Sequence, residues 1–270
     1  MSSYAITGAS RGIGWAFVSV LSSNPRNTVI ALVRNKAATD KRVAEELPGR
    51  TNIHIFKADL DNYNELETAA AETSKITGGS LDYLIANAAL LTHYDQFDSL
   101  GVLGKDPATL EQEMLANFKT NTIAQIHLFN LFTPLILRGT AKKVIAISSG
   151  HADVDLVTKF NVATAGVYTI SKAALNMAVA KFSAEYSADG VLFLSLSPGM
   201  VDTGGFADLT DEQLAGLGAM VKKFQEYAPT FTGPISPEDS VRAMLAVIEN
   251  ATVEKDAGGF LSHKGDRTWL

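Results

Sequence analysis

The chain of 270 residues is 46% apolar and 19% charged, which is typical of a globular protein and excludes a disordered or fibrous one. Its 23 basic and 29 acidic residues give a formal net charge of −6, which argues against a general nucleic-acid binder. The absence of cysteine excludes disulfides and thiolate chemistry, and the lack of a signal peptide or of a run of about 18 apolar residues predicts a cytoplasmic protein without membrane contact.

Short runs rich in branched apolar residues alternate with helical stretches along the whole chain. Strands are predicted at residues 4–7, 28–33, 52–57, 81–86, 143–147, 191–196 and 259–262. Helices are predicted from the first turn to about residue 23, at 36–47, at 62–76, after Pro107, at 165–187 and at 237–250. This alternation predicts an α/β protein with a Rossmann-type doubly wound parallel sheet of about seven strands and helices on both faces. No linker or repeat divides the chain, so we expect a single domain over residues 1–270.

Three stretches carry more detailed expectations. In the long helical region after Pro107, four apolar residues are expected on about one side, and Pro134 is expected to kink or end the helix. These four residues are Leu115, Phe118, Phe129 and Phe132. An apolar stripe along the helix at 165–187 is formed by Val167, Ile170, Ala174, Ala178 and Phe182. Between residues 204 and 237 the pattern loosens, with several glycines, threonines and prolines.

A glycine-rich turn lies between the first predicted strand and the first predicted helix. Its sequence is Thr7-Gly8-Ala9-Ser10-Arg11-Gly12-Ile13-Gly14, with the spacing G-x-x-x-G-x-G rather than the commoner G-x-G-x-x-G. Glycine lets a backbone turn sharply and approach a pyrophosphate, and the amides at the helix start hold the anion. We therefore predict a dinucleotide site here; a tight turn without a ligand is the alternative.

Charge near this turn favours NADP over NAD. An NAD site usually has an acidic residue about 20 positions after the turn, which binds the ribose 2′-hydroxyl. This chain has Arg34 at that place, and no acidic residue occurs before Asp40. The guanidinium groups of Arg11 and Arg34 suit a 2′-phosphate, so NADPH is the predicted cofactor. Two solvated surface arginines are the alternative.

A tyrosine and a lysine lie one helical turn apart. Tyr168 and Lys172 share a helix face, and a nearby cation favours the phenolate, which makes the phenol a usable general acid or base. The pair alone is also typical of an ordinary helix surface. Ser148 and Ser149 follow the fifth predicted strand, at the edge where open α/β sheets bind ligands.

Two asparagines strengthen this hypothesis. Asn87 ends the fourth predicted strand at the same edge of the sheet, and Asn121 is a polar residue within an apolar helix. Each one alone could cap a helix or satisfy buried backbone groups. Their joint occurrence in this order points to one site.

The sequence resembles the short-chain dehydrogenase/reductase family over essentially its whole length. Within that family it looks closest to sniffer-like carbonyl reductases and fungal norsolorinic-acid-type ketoreductases. The motifs that carry the resemblance are Thr7-Gly8-x-x-x-Gly12-x-Gly14, Asp59 after the third strand, Asn87-Ala88-Ala89, the set Asn121, Ser149, Tyr168 and Lys172, and Pro198-Gly199 with Thr203. Ala89 departs from the usual glycine, and the stretch between Ser149 and Tyr168 is longer than in many members.

The resemblance implies a role for each matched residue. Tyr168 protonates the nascent alkoxide or removes that proton in reverse, and Lys172 binds the ribose hydroxyls and lowers the tyrosine pKa. Ser149, preferred over Ser148, orients the carbonyl, and the backbone near Asn121 holds a water that links the lysine to solvent. The implied cofactor-binding residues are Gly8, Ser10, Arg11, Gly12, Ile13, Gly14, Arg34, Asp59, Leu60, Asn87, Ala88, Tyr168, Lys172, Pro198, Gly199, Val201 and Thr203.

The same resemblance implies that residues 204–237 cover the substrate. Phe206, Met220, Phe224 and Tyr227 in that segment are candidates to line the pocket, and His151, two residues after Ser149, is a candidate to contact the substrate. No metal site is expected, because the five histidines lack the spacing of metal ligands.

The predicted activity is NADPH-dependent reduction of a small-molecule ketone or aldehyde to an alcohol, or the reverse. The alternatives are a catalytically silent NADP(H)-sensing regulator with the same fold and an NAD-preferring alcohol dehydrogenase. A sensor is expected to lack the tyrosine or the lysine, and this chain has both. The long apolar helices after Pro107 and after Ala165 suit the interface of a homodimer or homotetramer.

Overall fold

A computed structural model describes residues 1–205 and 210–270, and its centre is one parallel β-sheet. The strands are β1 (Ser3–Thr7), β2 (Thr28–Val33), β3 (Ile53–Lys57), β4 (Tyr83–Ala86), β5 (Lys143–Ile147), β6 (Leu192–Ser197) and β7 (Phe260–Ser262). They pair in the order β3-β2-β1-β4-β5-β6-β7, with every pairing parallel. The predicted seven-stranded, doubly wound sheet is therefore confirmed.

Helices cover both faces of the sheet. They are α1 (Gly12–Ser22), α2 (Lys36–Glu46), α3 (Tyr63–Thr77), α4 (Leu100–Leu103), α5 (Pro107–Phe118), α6 (Ala124–Ile136), α7 (Val154–Phe160), α8 (Gly166–Glu185), α9 (Asp211–Tyr227), α10 (Pro237–Asn250) and α11 (Val253–Asp256). No helix in residues 1–205 and 210–270 is long and apolar enough to cross a bilayer. The predicted strand bounds agree with the observed ones for β2 and β5 and differ by at most two residues at either end of the other strands, as expected of element ends.

The alternation of side chains along the strands builds two cores. Along β5, Val144 and Ala146 point into the layer formed with α3, α6 and α8, whereas Ile145 and Ile147 point into the layer formed with α1 and α10. Each strand must be apolar on both faces because both are covered, and all six side chains of β6 are buried. The pattern of short apolar runs in the sequence follows from this double burial.

The strand order places a crevice at the centre of the sheet. The chain turns outward from β1 to β2 and β3 and then returns to the other side of β1 at β4. Loops after β1 and β4 leave the sheet in opposite directions, and ligands of open α/β sheets bind in the space between them. The glycine turn follows β1, and Asn87 directly follows β4. The topology alone therefore brings these two segments together.

The long helical region does not place its apolar residues on one side. A π-helical segment, Lys119–Ile123, separates α5 from α6 and rotates one helix face relative to the other. Leu115 and Phe118 are 63% and 42% exposed, whereas Phe129 and Phe132 are fully buried. The expectation of one shared side was therefore wrong. The chain continues through Pro134, and α6 ends two residues later at Ile136.

The segment that looks loose in the sequence contains a regular helix. Residues 211–227 form α9, which begins with a capping box between Thr210 and Gln213. Gly216 lowers the helix propensity, but a Cβ there would lie 2.7 Å from Phe97 Cβ, so close packing against the 92–99 loop requires glycine. The expectation of a loose segment was wrong for 211–227. Phe206 lies outside the described residues.

Candidate active site

The turn after β1 is clamped to the end of β4. Thr7 Oγ1 accepts hydrogen bonds from the backbone N–H groups of Asn87 and Ala88, each at 3.0 Å. The Asn87 side chain returns the contact by donating from Nδ2 to Thr7 O at 3.0 Å. From the other side, Gln125 Nε2 donates to Ala88 O at 2.8 Å. These bonds fix the spacing of the two loops, and Ala89 keeps an exposed position beside them.

The three glycines of the turn are required by space and by backbone conformation. A Cβ at residue 14 would lie 2.2 Å from Gly8 O, so no side chain fits there. Gly8 and Gly12 have φ values of +65° and +54°, in the left-handed region that favours glycine. A Cβ at residue 12 would lie 3.2 Å from Thr203 Cγ2. The predicted cofactor residues Gly12 and Thr203 are thus neighbours across the crevice.

The start of α1 is free to bind an anion. Arg11 occupies the N-cap position without a side-chain cap, and the first turn contains no acidic residue. The leading amides of a helix carry partial positive charge and need acceptors, which a pyrophosphate supplies. Ser10 and Ile13 complete this turn, and Ile13 is half-buried against the core below it. The residues present therefore fit a dinucleotide.

Three guanidinium groups lie at or near this end of the sheet. Arg11 and Arg34 are exposed, and within the described part of the chain neither has an acidic partner at ion-pair distance. Arg42, which the sequence did not single out, donates to Ser10 O at 2.9 Å and lies over the Trp15 ring at 4.1 Å. It was missed because it lies inside α2, away from any motif. Arg42 also pairs with Glu46, so Arg11 and Arg34 remain the available cations.

The residues after β3 form a tight turn on the same edge. Asp59 Oδ1 accepts from the Asp61 backbone N–H at 3.1 Å, and Asp61 in turn accepts from Thr120 Oγ1 at 2.8 Å. Leu60 is buried in the core, so only its backbone borders the crevice. This turn is therefore tied to the π-helical segment that carries Asn121.

Lys172 is buried at the carboxyl end of β5. Its Nζ donates to Ile147 O at 2.8 Å and lies 5.7 Å from the centroid of the Tyr168 ring. The buried face of α8 runs through Val167, Ser171, Lys172, Leu175, Val179 and Phe182. Ile170, a member of the predicted apolar stripe, is 40% exposed. The inward face therefore includes the lysine.

The electrostatics of this pair differ from the expectation. We expected Lys172 to lower the pKa of Tyr168, but burial raises the pKa of the phenol and the carboxylate of Asp95 raises it further. Burial also lowers the pKa of Lys172 to about 7, because the ammonium has left water and has no acidic partner among residues 1–205 and 210–270. In the protein alone, desolvation therefore dominates over the attraction between the two groups.

Asn121 is the centre of a buried hydrogen-bond network. Its Oδ1 accepts from the Leu90 backbone N–H at 2.7 Å, and its Nδ2 donates to Leu90 O, to Ser171 Oγ and to Asn117 Oδ1 at 2.9, 3.0 and 3.2 Å. Ser171 directly precedes Lys172, so this network joins the loop after β4 to the helix that carries the tyrosine and lysine. The π-helical turn at residues 119–123 places Asn121 there.

The two serines after β5 differ in access. Ser148 is buried, and its hydroxyl has no partner in the described part of the chain, whereas Ser149 is partly exposed and its Oγ accepts from the His151 backbone N–H at 3.3 Å. Of the two serines, Ser149 is therefore the more exposed. His151 contacts Phe224 of α9 edge-to-face at 5.5 Å, and burial lowers the pKa of its imidazole to about 4, which keeps it neutral at physiological pH.

The segment after β6 approaches the glycine turn from the other side. Pro198 O accepts from Ser240 Oγ at 2.7 Å, and Val201 pairs with Ile235 in an isolated parallel bridge. Gly199 has φ +82°, and a Cβ there would lie 2.8 Å from the ring of His263. His263 was missed as a neighbour of this site because it follows β7, which is distant in sequence.

The last residues of the described chain pack against the serine turn. A Cβ on Gly150 would lie 2.6 Å from Trp269 Cβ, and the Trp269 backbone N–H donates to Tyr227 OH at 3.0 Å. Arg267 forms an ion pair of 2.5 Å with the buried carboxylate of Asp153. Helix α7, the end of α9 and this segment line a cavity of about 300 Å³. No sequence motif predicts these contacts.

Residues 1–205 and 210–270 contain no group of three or more acidic or histidine side chains that could hold a metal ion.

A family model and known proteins are similar to this chain in sequence. The family model described as short chain dehydrogenase matches residues 3–214. Over the full length of both chains, the sequence is 54% identical to the short chain dehydrogenase virK of Hypocrea virens and 50% identical to the short-chain dehydrogenase/reductase iacC of Pestalotiopsis fici.

Solved structures of carbonyl reductases are also similar to this chain. An NADPH-bound carbonyl reductase from chicken fatty liver matches with a TM-score of 0.77 and 26% identity over 98% of each chain. The carbonyl reductase Sniffer of D. melanogaster matches with a TM-score of 0.76 over 98% of each chain; at 24% identity this likeness concerns the fold.

Burial of Lys172 predicts a gain in stability when its charge is removed. Methionine has a similar length and no charge to desolvate, so we expect Lys172→Met to raise the free energy of unfolding by ~1–3 kcal/mol at pH 7 while abolishing activity. The exposed Lys181→Met on the same helix is the control and should change stability little. Urea unfolding monitored by circular dichroism measures both.

The pH dependence of this difference has a defined sign. Between the lowered pKa of about 7 and the ordinary value of 10.5, the unfolded chain holds a proton on Lys172 that the folded chain has released. The free energy of unfolding of the wild type therefore rises with pH in this window, whereas that of the variant lacks this contribution. The difference in favour of Lys172→Met should shrink towards pH 10. If the stability difference between Lys172→Met and the wild type stays constant or grows with pH, burial of the Lys172 ammonium does not destabilise the protein.

Proposed function

This chain belongs to the short-chain dehydrogenase/reductase family, and we propose that it reduces a small-molecule ketone or aldehyde to an alcohol with NADPH, or catalyses the reverse reaction. The single observation that carries this proposal is the Tyr168–Lys172 pair, in which the lysine is buried and donates to Ile147 O, two residues before Ser149. The glycine turn and Thr203 border the same crevice. The carbonyl reductase from chicken fatty liver that matches this chain supports a carbonyl as the reacting group.

The residues of the site divide the chemistry among them. The bound nicotinamide supplies or accepts the hydride. Ser149, whose hydroxyl is partly exposed, donates a hydrogen bond that holds the substrate oxygen. Tyr168 gives its phenolic proton to that oxygen during reduction and takes it back during oxidation. The raised pKa of the phenol keeps this proton in place at neutral pH, which suits the direction of reduction.

Lys172 has more hydrogen-bond donors than its contact with Ile147 O uses. An ammonium group carries three donors, and Ile147 O takes one of them. The remaining donors are free to bind the ribose hydroxyls and the phenol oxygen. A ligand that surrounds the ammonium with acceptors favours its charged form and thereby the phenolate of Tyr168. The Asn121 network fixes the helix next to Ser171, so it positions both groups.

The proposed preference for NADPH rests on Arg11 and Arg34. Both guanidinium groups are exposed at the carboxyl end of β1 and β2, where a carboxylate would be needed to favour NAD. The chicken carbonyl reductase that matches the fold is described with NADPH bound, which agrees with this choice.

Helix α9 is proposed to cover the substrate. Phe224 and Met220 on this helix are buried, and Phe224 contacts His151 two residues from Ser149. Tyr227 at the helix end holds the backbone of Trp269. These contacts support the prediction that this segment covers the substrate, with His151 as a neutral imidazole behind the reacting carbonyl.

We further propose that two copies associate through α5 and α8. Leu115, Phe118, Ile170 and Met177 on these helices are exposed, and the first three border an apolar cavity of about 170 Å³. Exposed apolar patches of this kind mark association sites, and a helix pair can meet its own copy about a two-fold axis. A homodimer, or a homotetramer with a second interface, would cover this surface.

Replacing Tyr168 by phenylalanine should lower kcat for carbonyl reduction about 10²–10⁴-fold, because the general acid is lost. NADPH binding, followed by nicotinamide fluorescence, should persist. The exposed Tyr63→Phe is the control and should retain wild-type turnover. NADPH oxidation with a panel of ketones and aldehydes measures the rate. Unchanged turnover of Tyr168→Phe would refute the catalytic assignment, and wild-type binding without any turnover would favour a cofactor sensor.

Removing a cation from the cofactor edge should weaken NADPH selectively. We expect Arg34→Ala or Arg11→Ala to raise the Kd of NADPH about 10–100-fold, the loss of a charge-assisted bond, with little effect on NADH. Arg26→Ala, exposed before the start of β2, is the matched control. Fluorescence titration with both nucleotides decides the question: equal affinity of the wild type for NADH and NADPH would overturn the NADPH proposal.

Placing a charge on the exposed apolar face should disrupt association. We expect Leu115→Glu to yield a monomer in sedimentation velocity at micromolar concentration, because the carboxylate would be buried without a partner in the assembly. Val154→Glu, equally exposed on α7, should leave the wild-type assembly intact. A monomeric wild type at tens of micromolar would disprove the interface.

A further inference from the structure

A buried carboxylate outside the family motifs contacts the start of α8. Asp95 lies in the loop between β4 and α4 and is fully buried. Its Oδ2 accepts from the Tyr168 backbone N–H at 3.0 Å, and its main-chain O accepts from the Ala165 N–H at 2.9 Å. The loop is joined again to the segment before α8 by an isolated antiparallel bridge between Ser99 and Thr164.

The start of α8 needs this carboxylate because it has no cap of its own. Ala165 occupies the N-cap position with a left-handed φ of 56°, and its methyl group cannot accept a hydrogen bond. The first amides of a helix require an acceptor, which is usually a side chain at the N-cap itself. Here the acceptor comes from a residue 73 positions earlier in the chain.

Capping alone does not account for an aspartate at this position. Its second oxygen, Oδ1, is buried and has no hydrogen-bond partner within the described part of the chain. Burial raises the pKa of the Asp95 carboxyl, which the amides of Tyr168 and Val167 oppose. A neutral asparagine would cap the helix without the cost of burying a charge. Asp95 thus places one carboxyl oxygen on the Tyr168 N–H and holds the other beside it without a hydrogen-bond partner in the described part of the chain.

We propose that Asp95 is a positioning residue for Tyr168: its carboxylate caps the helix that carries the phenol and keeps the proton on that phenol. The proposal rests on the proposed role of Tyr168 in proton transfer. A negative charge beside a phenol disfavours the phenolate, so Asp95 acts against the ammonium of Lys172 one turn further along α8. The two charges together set the pH range in which Tyr168 can donate its proton.

The other ionisable groups around Asp95 are few. Glu113 on α5 raises the pKa of Asp95 by like-charge repulsion, and it accepts from Thr92 Oγ1 at 3.1 Å at the start of the same loop. Tyr94 and Asp98 belong to the loop itself. On α8, Tyr168 binds Asp95 through its backbone N–H, and Lys172 Nζ lies 5.7 Å from the centroid of the Tyr168 ring. Among these groups, only Asp95 hydrogen-bonds the backbone of Tyr168 within the described residues.

The same loop also contacts the helix proposed to cover the substrate. Gly216 of α9 lies against Phe97, where a Cβ would come within 2.7 Å of the Phe97 side chain. Asp95 thus joins two parts of the site: the loop that packs on the substrate cover and the helix that bears the general acid. A shift of this loop would directly displace the Tyr168 backbone.

Two substitutions separate the cap from the charge. Asp95→Asn keeps an acceptor oxygen for the Tyr168 N–H but removes the charge, and Asp95→Ala removes both. The rate of carbonyl reduction requires a protonated Tyr168, so it falls as pH rises through the phenol pKa. We expect the alkaline limb of kcat for Asp95→Asn to lie at lower pH than that of the wild type. For Asp95→Ala we expect kcat to fall about tenfold or more, with the Kd of NADPH unchanged.

Asp98→Asn, an exposed position in the same loop, is the matched control and should leave the pH profile unchanged. An Asp95→Asn profile identical to that of the wild type would overturn the proposal, even if its melting temperature fell, because a merely structural cap predicts that result. This test remains decisive if Asp95→Ala fails to fold. If Tyr168→Phe is inactive while Asp95→Asn is silent, only the role of Asp95 fails; if Tyr168→Phe is active, the proposed function itself fails.

Discussion

A single ammonium group is held out of water at the carboxyl end of β5, where Lys172 donates to Ile147 O at 2.8 Å. This contact ties α8 to the centre of the sheet and sets where Tyr168 stands, one turn earlier. Burial of the charge is unfavourable and lowers the pKa of the lysine, so the surrounding protein must hold the helix in place. The surrounding contacts therefore stabilise the site, and the interaction between Tyr168 and Lys172 does not.

These contacts come from segments that are far apart in the chain. Asn121 holds the loop after β4 against Ser171, and Asp95 caps α8 from the same loop. The π-helical turn around Asn121 interrupts a helix that would otherwise be regular, and such turns occur often at functional sites. Both connections converge on one helical turn of α8. The placement of Tyr168 and Lys172 therefore depends on contacts of Leu90 and Asp95, which follow the Asn87-Ala88-Ala89 motif and belong to none of the family motifs.

The sequence predicted the fold because its periodic signals are strong. Apolar runs buried on two faces mark the strands, and the glycines of the first turn mark a place where no side chain fits, as the 2.2 Å approach at Gly14 shows. Helix α9 was missed because Gly216 weakens the local helix signal while its packing against Phe97 compensates. The four apolar residues after Pro107 were misplaced because a π-helical turn leaves no periodic mark in a sequence.

What the sequence determined by itself is therefore the order of strands and helices, the glycine turn and the spacing of Tyr168 and Lys172, since each depends on neighbours within a few residues. Only the tertiary structure decided the electrostatics. The pKa of a phenol depends on its exposure and on charges that the fold brings near, and neither the burial of Lys172 nor the approach of Asp95 is encoded in local spacing. The same holds for Trp269 against Gly150, because contacts between distant segments arise only when the sheet closes the distance.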